Sequence, residues 1–119
     1  MHSTFLKDTC YQSAVTYAAC IEFHLDEHRR RGFSTSQLIG YSLDPKPDAE
    51  NDKNAPPQKL ELIFSTADVV VLGWRLGFLA DKLGENTLTA VAIFPKRYAE
   101  QDRSVVFVSD ITITPIGKG

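Results

Sequence analysis

KLELIFSTADVVVLGWRLGFLADKLGEN, residues 59–86, changes period in mid-run from strand-like to helix-like. Leu60, Leu62 and Phe64 alternate with Glu61, Ile63 and Ser65, and the β-branched run Val69-Val70-Val71 follows Thr66-Ala67. From Trp74 the spacing changes. Leu76, Leu79, Ala80 and Leu83 recur at three and four residues, on one side of a helix whose other side carries Arg75, Asp81, Lys82 and Glu85. Gly84, Glu85 and Asn86 close that helix. Between Phe64 and Val69 a hairpin is favoured over a bulge, because Ser65 and Asp68 are turn formers and each flank has strand length. A sheet with a helix laid on it follows, since each element has one apolar side to hide.

Upstream, residues 8–31 carry Cys10, Ala14, Tyr17, Ala18, Ile21, Leu25 and His28 at helical spacing, with Asp8 or Thr9 as N-cap. Arg29-Arg30-Arg31 before Gly32 reads as the helix end. Val15, Thr16, Tyr17, Ile21 and Phe23 also suit an edge strand, so part of this segment has two readings. Residues 33–43 alternate as a strand that Asp44-Pro45 ends, and KPDAENDKNAPPQ, residues 46–58, reads as a mobile loop.

Downstream, residues 87–94 form a strand, 95–103 a charged loop and 104–114 the last strand. The order α-β-β-β-α-β-β predicts a single α+β domain over 1–119, a mainly antiparallel sheet of about five strands with two helices packed on one face. Val105, Phe107, Ile111 and Ile113 on one side of the last strand and Val106 and Val108 on the other make it apolar on both faces. Such a strand is central or is covered by a second copy, which predicts a homodimer.

A chain of 119 residues has room for one core, and 43% hydrophobic with 24% charged residues is ordinary for a soluble fold. The net charge of -2 offers no general attraction for nucleic acid, and no run approaches the roughly 18 apolar residues of a membrane span. MHSTFLKDTC, at the amino terminus, lacks the apolar stretch of a secretory signal, so the expected location is cytoplasmic. On one helix, Cys10 and Cys20 would stand about 15 Å apart. Disulfide reach ends near about 7 Å between Cα atoms, so both read as buried thiols.

The sharpest motif is His24-Leu25-Asp26-Glu27-His28, which matches H-x-x-E-H, the pattern of the zinc peptidases called inverzincins. On a helix, His24 and His28 share a face and can ligate zinc, with Glu100 as candidate third ligand and Glu27 as the base that polarises bound water. The three arginines that follow set a field that disfavours a divalent cation. The competing reading pairs Asp26 and Glu27 with Arg30 and Arg31 in a solvated last turn. His28-Arg29-Arg30-Arg31 and Lys96-Arg97-Tyr98 are small basic patches diluted by Glu22, Asp26, Glu27, Glu100 and Asp102, so nucleic-acid binding would be weak.

Gly73 and Gly77 flank a strand-to-helix junction able to hold an anion, but their spacing is that of neither a dinucleotide fingerprint nor a P-loop. No G-x-S-x-G occurs, and nothing pairs Glu61 with Glu100. The sequence thus predicts a non-catalytic binding or assembly module without a cofactor. It self-associates and takes a protein or small-ligand partner through Trp74, Arg75, Arg97, Tyr98 and the loop 46–58. A zinc hydrolase is the alternative, and a weak nucleic-acid binder the third reading.

Overall fold

The structure, a computed structural model, describes residues 11–26, 28–45, 58–93 and 106–116. Among them the chain forms β1 (Tyr11–Ser13), β2 (Cys20–His24), β3 (Arg30–Ser34), a 3₁₀ turn (Thr35–Gln37), β4 (Leu38–Pro45), β5 (Gln58–Phe64), β6 (Ala67–Trp74), α1 (Gly77–Gly84), β7 (Leu88–Ala92) and β8 (Phe107–Pro115). The strands make two four-stranded sheets, ordered β1-β7-β2-β3 and β4-β5-β6-β8. The first is mixed, because β2 runs parallel to β7 and antiparallel to β3. The second is antiparallel throughout.

This corrects the expected single sheet of about five strands with two helices on one face. The described part of the segment read as the first helix forms β1, β2 and the start of β3, with residues 8–10 and Glu27 outside the described residues. Ile21 and Phe23 are buried, while Cys20, Glu22 and His24 between them face outward, which is a period of two. A helix with the expected apolar stripe would bury Tyr17, which is 80% exposed. Local spacing fitted both periods; pairing of β2 on both sides, to β7 and β3, decides for the strand. Gly32 is no helix cap. It lies opposite Glu22 inside β3, where a Cβ would stand 3.3 Å from Cys20 Sγ.

The strand expected over 33–43 is cut by the 3₁₀ turn, and there the chain passes from the first sheet to the second. Ser34 caps that turn, its hydroxyl accepting from the Ser36 N–H at 3.2 Å. The 65–68 hairpin is present, with Ser65-Thr66 joining β5 to β6. Helix α1 ends in a Schellman arrangement, with Thr87 N–H on the Lys82 carbonyl, Asn86 N–H on that of Leu83, and Asn86 itself at φ 59°.

The core fills the space between the sheets. Ile21, Phe23, Leu88 and Val91 from the first meet Leu60, Leu62, Phe64, Val69 and Val71 from the second, with Leu76, Leu79 and Leu83 closing one side. Burial of each such side chain contributes about 1.5–3 kcal/mol.

Among the described residues β8 is an edge strand, not a central one. A bulge explains its two apolar faces: Gly73 pairs with Val108 and Leu72 with Asp110, so Ser109 is extra and the alternation reverses. Val108 and Ile111 therefore both reach the core, while Phe107 packs against Trp74 at 5.3 Å between ring centroids. Val106, Phe107, Val108 and Ile111 are buried within the chain, so β8 no longer argues for a second copy. No helix among the described residues is long and apolar enough to cross a membrane.

Candidate functional site

Of the six large hydrophobic side chains that stand exposed among the described residues, four lie on two segments near the 3₁₀ turn, the others being Phe78 and Ile116. Val15 is fully exposed, Tyr17 80%, Ile39 71% and Tyr41 41%. The backbone holds these positions firmly. Ala14 N–H donates to the Thr87 carbonyl and Ala18 N–H to that of Asn86, both at 2.8 Å, so Val15-Thr16-Tyr17 is pinned at both ends against the exit of α1. Thr35 ties the same loop to the turn, its N–H on the Ala19 carbonyl at 3.0 Å and its hydroxyl on the Ala18 carbonyl at 2.8 Å. Ser65 N–H then donates to the Gln37 carbonyl at 2.9 Å and Ile116 N–H to that of Thr66 at 3.0 Å, bringing the β5–β6 turn and the end of β8 to this end of the molecule.

The two segments that carry these side chains have no charge. Residues 11–21 and 33–43 contain neither acid nor base, in a chain that is 24% charged. Depletion of charge with exposed tyrosine is the composition of interface cores, where desolvation is cheap and the aromatic ring supplies contact area. No motif marks Val15, Tyr17, Ile39 or Tyr41 in the sequence. The available signal was the length of those two neutral runs, which secondary-structure periodicity does not weigh.

The described residues of the H-x-x-E-H segment lie on a β-hairpin. His24 ends β2 and His28 lies in the turn to β3, so the helical four-residue spacing that would align two zinc ligands is absent. Asp26 organises the turn: its Oδ1 accepts from the N–H groups of His28 and Arg29, and its Oδ2 from Arg29 Nε, each at 2.8 Å. The His28 N–H first, and the Arg29 side chain next, hold the Asp26 carboxyl below its usual value of 3.8. Glu22 faces out beside His24, with Oε1 3.1 Å from His24 Nε2 and 3.8 Å from an Arg30 guanidinium nitrogen. Arg29 and Arg30 are thus partnered by Asp26 and Glu22 in a hairpin instead of along a helix, and the Arg31 guanidinium donates to the Arg30 carbonyl at 3.4 Å. Among the described residues no three His, Cys, Asp or Glu side chains gather closely enough to hold a metal.

Trp74 ends β6 and Arg75 follows it at φ 59°, at the strand-to-helix junction. Trp74 leans on Phe107, and its Nε1 is buried with no acceptor. The junction holds no open anion nest at Leu76, whose N–H donates to Gln58 Oε1 at 2.7 Å. Arg97, Tyr98, Glu100 and Glu27, and residues 46–57 of the expected loop, lie outside the described residues; Gln58 begins β5. Of the four residues expected to bind, Trp74 and Arg75, adjacent in the chain, lie among the described residues.

Compared with protein-family models, with curated proteins and with solved structures, the chain matches none.

Proposed function

We propose that this chain is a non-catalytic binding and assembly module that associates with a second copy of itself. The observation that carries the reading is the exposure of Val15, Tyr17, Ile39 and Tyr41 on two chain segments that contain no charged residue. Each of these side chains leaves apolar area in water, at a cost of about 25 cal/mol per Å² that contact with a partner recovers. The loop between Ala14 and Ala18 is already fixed by backbone hydrogen bonds, so docking does not have to order it.

The test is the mass in solution at micromolar concentration, by light scattering or sedimentation. Twice the chain mass of 13.3 kDa is expected. Replacing Tyr17 and Ile39 together by glutamate should return the single mass with an unchanged circular dichroism spectrum. A wild-type chain that stays at the single mass overturns the reading.

A further inference from the structure

The two sheets have four free edges among the described residues, and three of them are blunted. β1 is three residues long. β3 carries Arg30 and Arg31. β8 carries Asp110 and the bulge at Ser109. Short length, charge and bulges are the devices by which proteins keep an edge from pairing with another strand. β4 differs. It is eight residues long, and no charge occurs in it before Asp44. Its own bulge, at Ile39, and its Pro45 lie toward its two ends, leaving Gly40 to Asp44 in regular register with β5.

Resting on the self-association proposed above, we infer that β4 pairs antiparallel with β4 of a second copy, across a two-fold axis at Ser42, making one eight-stranded sheet from two. This register keeps each side chain on its own face of the sheet, as a two-fold normal to the sheet requires. Tyr41 then stands opposite Leu43 of the second copy on the face that carries Leu60 and Leu62, giving two aromatic–aliphatic pairs. On the other face Gly40 stands opposite Asp44. A Cβ at Gly40 meets nothing within 4 Å, so the carboxylate has room and faces no like charge. The neutral run that leaves the edge unguarded thus also makes it self-complementary, which an unrelated strand need not be.

Two variants test the register. Ser42 is exposed, and Ser42→Lys puts two ammonium groups across the axis. It should weaken dimerisation roughly tenfold or more with the melting curve of the chain unchanged. In a background with Cys10 and Cys20, the only two cysteines, replaced by serine, Ser42→Cys should give a disulfide-linked dimer on mild oxidation. Thr112→Cys on the β8 edge should not. A wild-type dimer that survives Ser42→Lys and does not cross-link through Ser42→Cys overturns the pairing and leaves self-association standing. A wild-type chain found only as a single copy overturns both.

Discussion

Gly73 lies directly under the Phe107 carbonyl: a Cβ added to Gly73 would collide with that oxygen and its carbon, and would stand 3.0 Å from Val108 Cα. The obstacle is backbone, held by the β6–β8 bulge, and cannot rotate away. Gly73→Ala should therefore cost about 3 kcal/mol, at the upper end of overpacking. Gly77→Ala is the contrast, since a Cβ at Gly77 meets nothing within 4 Å and the residue opens α1. It should stabilise by about 0.5–1 kcal/mol. Urea unfolding of both variants checks the pair, and equal effects would contradict the bulge geometry.

Asn86 at φ 59° is the left-handed residue of the α1 exit, and its carbonyl also receives the Ala18 N–H. Asparagine and glycine tolerate this conformation, whereas a β-branched residue is strained there by about 1–2 kcal/mol. Asn86→Gly should leave the unfolding midpoint unchanged or slightly raised. Asn86→Val should lower it by that amount, and should also loosen the Val15-Tyr17 loop, seen as faster amide exchange at Ala18.

What the sequence made legible and what it hid divide along one physical line. The 59–86 stretch was readable because its period changes once, at Trp74, and the hairpin and helix stand where that change puts them. Residues 8–31 were not, since Tyr17 and Ile21 fit either reading, Leu25 follows the helical period and Phe23 the strand period, and the choice is made by β7, which lies far along the chain. The last strand misled for the related reason that a bulge at Ser109 reverses its faces, and a bulge is set by the partner strand. Site residues followed the same rule. Motif spacing drew attention to His24, Glu27 and His28, and the fold placed His24 and His28 on a strand end and a turn. The tie between the Tyr17 loop and the turn before Ile39 depends on hydrogen bonds from Thr35 that no local pattern announces.

The Asp26 turn gives a pH signature. Its folded-state pKa lies below the ordinary 3.8, chiefly through the His28 N–H and then Arg29. The charged carboxylate thus contributes fully above the unfolded value, and the contribution is lost as pH falls through the folded one. Asp26→Asn keeps the shape and removes the charge. The wild type should be the more stable at neutral pH, and the gap between the two urea midpoints should close below about pH 4. A gap that is the same at acid and neutral pH would place the turn's stability elsewhere.

Phe33 and Phe64 join the two sheets through their rings, stacked at 4.7 Å with 20° between planes. Phe33 belongs to β3 of the first sheet and Phe64 to β5 of the second. Phe23 meets both edge-on, at 6.0 and 6.3 Å, and is fully buried. Removing Phe23 leaves a cavity under both rings, so Phe23→Ala should cost about 3–5 kcal/mol. The stacked pair is best isolated by a double-mutant cycle on Phe33→Leu and Phe64→Leu, which keep apolar volume and lose the ring contact. A coupling of about 0.5–1.5 kcal/mol is expected. Since the rings sit in different sheets, that coupling measures how far the sandwich is held by a specific contact and how far by apolar burial alone. Additive single effects would mean that burial, and not the ring contact, joins the sheets at this point.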